Sequence, residues 1–121
     1  MKKIFARLLG RRGERLAEKF LRRKGYRIVA RNFHTRGGEI DLVCSDGTGL
    51  VFVEVKTRTA GGLGVPEDAV NRAKQQRLRR AAEVYLTQLT NLQSSYRLDV
   101  VSIQTMPDGR EVIVHYENIT G

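Results

Sequence analysis

The sequence predicts a mixed α/β fold in which the elements follow the order helix, three strands, helix, strand, strand, within one domain of 121 residues (1–121). Three observations lead to this fold class. Apolar residues recur at helical spacing in two stretches, near residues 10–24 and 66–89. Between them, short strand-like runs flank Asp46-Gly47, a strong hairpin signal. A continuous apolar run over residues 50–56 is typical of a central strand covered on both faces.

The first helix is predicted over residues 10–24. Apolar residues from Leu16 to Leu21 recur at helical spacing, and Lys and Arg occupy the other faces. Gly25 suits the C′ position, where a left-handed residue commonly ends a helix.

A strand is predicted next, from Tyr26 to Phe33. Strict alternation places Arg27 and Arg31 on one face and Ile28 and Ala30 on the other. Gly37 and Gly38 then separate this strand from the following one.

The second and third strands form the predicted hairpin. In the second strand, residues 39–43, alternation places Glu39, Asp41 and Val43 on one face and the apolar Ile40 and Leu42 on the other. In the third strand, residues 50–56, the three valines point one way, whereas Leu50, Phe52, Glu54 and Lys56 point the other way.

The second helix is expected to begin at Pro66-Glu67-Asp68, because proline suits the first turn and acids favour the helix N-terminus. Its apolar face continues to about residue 89. The residues of that face are Val70, Ala73, Ala81, Ala82, Tyr85, Leu86 and Leu89. Two final strands, near 96–104 and 111–117, flank Pro107-Asp108-Gly109.

The net charge of +9 is distributed very unevenly along the chain. Residues 1–36 carry thirteen basic and two acidic side chains, a net charge of +11. Residues 37–121 carry nine basic and eleven acidic side chains, a net charge of −2. A basic surface of this size attracts polyanions, so nucleic acid is the first partner to consider.

Several protein classes are excluded by composition. No run of about 18 apolar residues exists, so we expect no membrane association, and Arg7 interrupts the apolar start before a signal-peptide h-region can form. The lone Cys44 excludes a disulfide framework, and two separated histidines, His34 and His115, argue against a histidine-rich metal site. We therefore expect a cytoplasmic protein.

Charged side chains among the apolar residues of the two hairpin strands are the candidate active-site residues. Asp41 and Glu54 should lie at nearly the same level on neighbouring strands, with Lys56 on the same face as Glu54. Two neighbouring carboxylates repel each other unless a proton or a divalent cation holds them. Hard oxygen ligands beside a lysine suit Mg²⁺ or Mn²⁺, ions that act on phosphate esters. A purely structural interpretation remains open, in which Glu54 and Lys56 form an ion pair at the strand edge and Asp41 is a surface acid.

Basic and amide side chains around these acids are candidate contacts to nucleic acid phosphates. The second helix carries Lys74, Gln75 and Arg77, and Arg58 follows Lys56 by two residues. Arg31 and Arg36 accompany the end of the first strand. A run of charges on a helix is also typical of a plain solvated face.

Taken together, the motifs resemble a known group of nucleases. An acid in the first helix, an Asp on the second strand and Glu54-Val55-Lys56 on the third match the spacing of the PD-(D/E)xK nucleases, although Ile40 stands where the signature has proline. Five segments resemble the bacterial YraN-like family of predicted endonucleases. They are Gly13-Glu14, Arg31-Asn32, Gly38-Glu39-Ile40-Asp41, Phe52-Val53-Glu54-Val55-Lys56-Thr57-Arg58 and Lys74-Gln75.

The resemblance implies both a fold and a set of roles. It implies a restriction-endonuclease-like core with an added C-terminal strand, similar to that of the archaeal-type Holliday junction resolvases. It also implies that Glu14, Asp41 and Glu54 are metal ligands and that Lys56 is the catalytic lysine. Junction enzymes of this fold work as homodimers, because two strands must be cut.

The leading hypothesis is a Mg²⁺- or Mn²⁺-dependent endonuclease acting on DNA, with branched or structured DNA as the first substrate to test. The alternative is a nucleic-acid-binding protein that has the nuclease fold and does not cut. A basic assembly or ribosome-associated protein would explain the charge but would leave Asp41, Glu54 and Lys56 without a role.

Overall fold

The computed structural model describes the backbone of residues 2–59, 72–89 and 95–119, and the side chains of these residues from Arg11 onwards, Thr59 excepted. The element order is α1 (Lys2–Arg23), β1 (Arg27–His34), β2 (Glu39–Ser45), β3 (Leu50–Thr59), α2 (Arg72–Thr87), β4 (Tyr96–Thr105) and β5 (Glu111–Tyr116). The strands form one sheet in the order β1-β2-β3-β4-β5. The β3–β4 pair is parallel and the other pairs are antiparallel, so the predicted mixed α/β fold is confirmed.

The two helices cover opposite faces of this sheet. Ala17 and Leu21 of α1 belong to one buried cluster, together with residues of β2, β3 and β4. Leu78 and its neighbours in α2 belong to a second cluster on the other face. The central strand β3 contributes Val51 to the first cluster and Phe52 to the second, as expected for a strand buried on both faces.

Helix α1 begins at Lys2, well before the predicted start at residue 10. Ile4, Phe5, Leu8 and Leu9 continue the helical spacing in the sequence, and the predicted boundary left them out. The predicted end is confirmed within one residue. Gly25 has φ +95°, its N–H donates to Arg22 O at 2.9 Å, and the Tyr26 N–H donates to Leu21 O at 3.0 Å. These two bonds form a Schellman cap.

Strand β1 differs from strict alternation. A register shift between Ile28 and Ala30 marks a β-bulge, and the two side chains consequently pack on opposite faces, Ile28 on the α1 side and Ala30 on the α2 side. Arg27 pairs with Ser45 and Arg31 pairs with Leu42, so these arginines also lie on opposite faces. The prediction that each pair shares a face was therefore wrong.

Strand β2 changes face at Asp41. Ile40 packs in the α2-side cluster, whereas Leu42 packs in the α1-side cluster, so the predicted shared face of Ile40 and Leu42 was wrong. The antiparallel pairing between β2 and β3 ends at Leu42 and Val53. Asp41 thus lies where the two strands part, one step beyond the last pair and level with Glu54 as the hairpin register predicted.

The remaining elements follow the prediction closely. Gly47 has φ +95° in the hairpin turn, and the Asp46 carboxylate accepts hydrogen bonds from the turn that it begins. Leu78, omitted from the predicted apolar face of the second helix, is buried with Ala81 and Ala82. The predicted helix start at residues 66–68 lies outside the described residues. No helix in the part of the chain that the structure describes is long and apolar enough to cross a membrane.

Candidate active site

Asp41 stands at the point where β2 leaves β3. Its Oδ2 accepts a hydrogen bond of 2.7 Å from the backbone N–H of Val55, which replaces the missing rung of the strand ladder. Burial raises the pKa of Asp41 to about 6, against the opposing effect of the Val55 hydrogen bond, and the negative charges of Glu14, Glu54 and Glu39 add to the rise. Asp41 is therefore the centre of a cluster of carboxylates that interact electrostatically.

Glu54 and Lys56 lie beside Asp41 on the α2-facing side of β3. Glu54 Oε1 is 2.9 Å from Lys56 Nζ, and their side chains are only 21% and 25% exposed. Burial by itself would lower the pKa of Lys56, but the hydrogen bond and charge of Glu54 outweigh it, so the net pKa is raised. The ion pair that the structural interpretation expected is thus present, in a largely buried setting.

Glu14 reaches this cluster from α1. Its carboxylate forms a hydrogen bond with the side chain of Asn32, and burial raises its pKa. Asn32 has φ +51°, in the left-handed region that asparagine tolerates better than most residues. Sequence reasoning gave Asn32 no role, although an asparagine within a strand was the available signal.

Close packing at Gly13 sets the height of Glu14 above the sheet. A Cβ at Gly13 would lie closer than 3.0 Å to Cγ2 of Thr57 in β3. The absence of a side chain therefore lets α1 contact β3 directly, immediately before Glu14.

A cleft of about 470 Å³ opens over Glu54 and Lys56. Its walls are the turn between β1 and β2 and the first turns of α2. Its lining residues are His34, Thr35, Arg36, Gly37, Gly38, Glu39, Glu54, Lys56, Lys74, Arg77 and Leu78. The cleft therefore combines carboxylates with several cationic side chains.

The turn is fixed internally and against α2. Thr35 Oγ1 accepts hydrogen bonds from the N–H groups of Gly37 and Gly38, at 3.2 and 3.0 Å. A Cβ at Gly38 would lie 2.8 Å from the carbonyl carbon of Arg77, so only glycine allows the turn to sit this close to α2. Sequence reasoning treated Gly38 as a separator and missed this contact.

Three of the predicted nucleic-acid contacts converge on the cleft, namely Arg36, Lys74 and Arg77. Lys56 and Lys74 meet in the cleft, and the hydrogen bond and charge of Lys56 lower the pKa of Lys74. Such an arrangement favours an anion between them.

The other three predicted contacts lie elsewhere. Gln75 borders a separate depression on α2, and Arg58 lies further along the same face of β3 as Lys56. Arg31 forms an ion pair with Glu18 of α1, on the opposite face of the sheet.

The donor types at this site fit a hard divalent cation, because Glu14, Asp41 and Glu54 offer carboxylate oxygens whose repulsion a cation would relieve. As the side chains stand, the described residues contain no group of three or more acidic, histidine or cysteine side chains that could hold a metal ion. Asp41 is bonded to the Val55 N–H, and Glu54 is bonded to Lys56.

A second polar cluster is buried on the α1 side of the sheet. Asp99 is fully buried and binds Arg97 Nε at 2.9 Å, His115 Nε2 at 2.7 Å and Asn118 N at 2.9 Å. The hydrogen bonds from His115 and Arg97 outweigh burial and lower the pKa of Asp99. His115 lies on the edge strand β5, and its side chain is only 2% exposed. Asp99 thus joins β4 to β5 and has a structural role.

Comparison with known proteins relates this chain to bacterial relatives of similar length. A UPF0102 protein of Symbiobacterium thermophilum is 50% identical over 105 residues, which cover 87% of this chain and 89% of the relative. UPF0102 proteins of Geobacter sulfurreducens and Syntrophomonas wolfei are 46% and 48% identical over 112 residues, which cover 93% of this chain and 88% and 96% of those relatives. The model of the uncharacterised protein family UPF0102 matches residues 13–103, from the glycine before Glu14 to the end of the β4 core. These matches confirm the YraN-like assignment at the level of the family, and the chain belongs to the UPF0102 family.

Proposed function

We propose that this protein is a Mg²⁺- or Mn²⁺-dependent endonuclease that hydrolyses phosphodiester bonds in DNA. The observation that carries the proposal is the meeting of Asp41, Glu54 and Lys56 at the parting of β2 and β3, with Glu14 coupled to them electrostatically. Structural acids are normally neutralised by partners, whereas here burial and mutual repulsion raise the pKa of Asp41 to about 6. The likeness to PD-(D/E)xK nucleases suggests that these mutually repelling carboxylates bind a metal ion.

The metal would be held by Glu14, Asp41 and Glu54. A divalent cation bound there supplies charge neutralisation at the scissile phosphate and lowers the pKa of a water molecule. Asn32 orients the Glu14 carboxylate through its side-chain hydrogen bond, and the Val55 N–H fixes one oxygen of Asp41. The chain itself therefore keeps two of the three carboxylates in defined orientations.

Lys56 acts as a cation in this proposal. Glu54 raises the pKa of Lys56 and so keeps the Lys56 ammonium protonated. Lys56 is therefore better suited to stabilise negative charge than to remove a proton from water. Its neighbour Lys74 and the exposed Arg77 extend the positive surface along the cleft. Phosphates of the DNA backbone are the anions that this spacing fits.

A second candidate function is a nucleic-acid-binding protein that does not cut. The observation in its favour is the closed Glu54–Lys56 ion pair, together with the lack of a ready three-ligand group among the described residues. In that case the cations of the cleft would bind phosphates, and the acids would only position Lys56.

One experiment separates these functions. Purified protein is incubated with branched, duplex and single-stranded DNA, with and without Mn²⁺, and binding and cleavage are measured in parallel for wild type, Asp41→Asn, Lys56→Gln and Glu83→Gln. Glu83 is exposed on α2 and serves as the matched loss of one acid. We expect wild type and Glu83→Gln to cut in Mn²⁺, and both site variants to bind and not cut. If wild type and Asp41→Asn bind alike and neither cuts, the protein is a binding module.

The proposal extends to location and assembly. Cys44 is the only cysteine and is buried, and burial raises its pKa to about 12, so it is a structural thiol suited to the reducing cytoplasm.

Paired incisions in branched DNA would require two copies of the chain, and sedimentation of the protein on a four-way junction tests for a homodimer.

A further inference from the structure

We infer that the outer face of α1 binds the sugar-phosphate backbone of a second DNA arm, on the opposite side of the sheet from the cleft. This inference rests on the proposed function only for the choice of DNA as the polyanion. Ala17 and Leu21 are buried against the sheet, and Glu14 is hydrogen-bonded to the side chain of Asn32 in β1.

From Arg11 to Arg23, the outer surface of α1 is mostly basic and includes Leu16 and Glu18. Arg12, Arg15, Lys19, Arg22 and Arg23 border one shallow depression on this surface. Arg12 is neutralised by Glu111 of β5 through two bonds of 2.6 Å, and Arg22 lies 3.0 Å from Glu18.

Three of these cations have no ion-pair partner among the described residues, namely Arg15, Lys19 and Arg23. They follow one another at i, i+4 and i+8, so each repels the next along the same helix face. Glu18, which borders the same depression, is shared between Arg22 and Arg31. A helix that needed only to be solvated would gain stability from an acid in this row, so the unbroken row of cations favours an external anion.

The length of the row fits a nucleic acid backbone. Arg15 and Arg23 are eight residues apart, which corresponds to about 12 Å along the helix. One strand of B-DNA presents roughly three or four phosphates over that length. Three unpaired cations therefore match the phosphates of one short stretch of a single strand.

A membrane surface fits α1 less well. Amphipathic helices that lie on lipid expose an apolar face to it. From Arg11 to Arg23, the partly buried Leu16 borders the depression, and the larger apolar face of α1 is buried against the sheet. Phosphodiester backbone is the anionic surface that a purely cationic row can bind.

The position of α1 indicates which DNA would use this row. The cleft lies on the α2 side of the sheet and the row lies on the α1 side. A straight duplex in the cleft would leave the row uncovered. A branched DNA has arms that diverge from one point, so a second arm can pass along α1 while the first occupies the cleft.

Binding by fluorescence anisotropy in EDTA tests the inference without cleavage. The test variant carries Arg15→Gln, Lys19→Gln and Arg23→Gln. The matched control carries Arg27→Gln, Arg79→Gln and Arg110→Gln, three exposed arginines spread over β1, α2 and the β4–β5 turn. Both variants lose three positive charges, so their net charges match, and the exposed pair of Arg110 with Asp108 is the ion pair that the control gives up.

We expect the α1 variant to bind a four-way junction roughly tenfold or more weakly than wild type, with the slope of log K against log salt reduced by about 2 to 3. A linear duplex should lose less affinity, and the control variant should stay close to wild type on both DNAs. Thermal unfolding should show α1 variant stability equal to or above that of wild type, because repulsion along the row is removed.

Two results would overturn the inference. In the first, the α1 variant and the control lose equal affinity for the junction, so only net charge matters. In the second, wild type binds anionic lipid vesicles more tightly than the junction and only the α1 variant loses that binding, so the row serves a membrane. Absence of cleavage by a wild type that still needs α1 for junction binding would refute the proposed function and leave this inference intact.

Discussion

Replacing Gly13 with alanine is expected to destabilise the protein only while Thr57 keeps its methyl group. In wild type the new Cβ would lie closer than 3.0 Å to Thr57 Cγ2, a separation that real Cβ atoms essentially never show. Overpacking of this kind costs about 1–3 kcal/mol, and the better helix propensity of alanine returns about 1 kcal/mol. We therefore expect Gly13→Ala to lower the free energy of unfolding by about 0–2 kcal/mol.

The sign should reverse in a Thr57→Ser background. Serine lacks the Cγ2 methyl, and the next neighbours of the new Cβ are Ile103 Cδ1 at 3.7 Å and the Cβ of residue 57 at 3.8 Å, both ordinary contacts. There Gly13→Ala should stabilise the protein by up to about 1 kcal/mol, which gives a coupling energy of about 1–3 kcal/mol between the two positions.

Urea unfolding followed by far-ultraviolet circular dichroism measures all four proteins, since the chain has no tryptophan. Because Glu14 follows Gly13, the single Gly13→Ala variant should also cut DNA more slowly in Mn²⁺, and Thr57→Ser should restore the rate. Equal effects of Gly13→Ala on stability in both backgrounds would refute the close packing of α1 on β3.

Three further predictions concern other parts of the structure. Asp99→Asn should lower the free energy of unfolding by about 3–5 kcal/mol, because it breaks a buried ionic network. Since the pKa of Asp99 is lowered in the folded state, ionised Asp99 stabilises the protein above about pH 4, and this stabilisation is lost as the pH falls. The urea midpoint of wild type should therefore fall with acid, and that of the variant should change less. Asn32→Ala should cost about 1–2 kcal/mol at φ +51°. Asn32→Gly should keep its unfolding midpoint near that of wild type and lose cleavage through Glu14, and a fully active Asn32→Gly would contradict the orienting role. Gly38→Ala should cost about 1–3 kcal/mol and weaken DNA binding by displacing Arg77, which anisotropy would detect, whereas unchanged affinity would show that the turn does not position α2.

Sequence reasoning located the centre of the sheet because the relevant signals are local. Asp46-Gly47 specifies a tight turn, and the turn specifies the register of its two strands. The level of Asp41 against Glu54 followed directly, and so did the burial of β3 on both faces. These predictions depended only on turn geometry and on the two-residue period of a strand.

The errors arose where the backbone departs from that period. The bulge after Ile28 and the change of face at Asp41 each reverse the side of the sheet that later residues occupy, and single-sequence alternation contains no sign of either. Arg31 consequently lies against α1 instead of lining the cleft.

Contacts between distant segments were also beyond a pattern-based prediction. The close contact of Gly38 with Arg77 and the hydrogen bond between His115 and Asp99 join residues that are far apart in the chain. Their spatial neighbours are decided by how α2 and β5 pack, and neither composition nor spacing specifies this packing.

The central claim is that Asp41 belongs to a divalent-metal site that hydrolyses DNA. The most direct measurement is the single-turnover rate of cleavage of a 5′-labelled four-way junction over a series of Mn²⁺ concentrations, for wild type and Asp41→Asn. We predict a rate that rises and saturates with Mn²⁺ in wild type and is at least about 10²-fold lower in the variant. No product from wild type at any Mn²⁺ concentration, or equal rates for the two proteins, would contradict the claim.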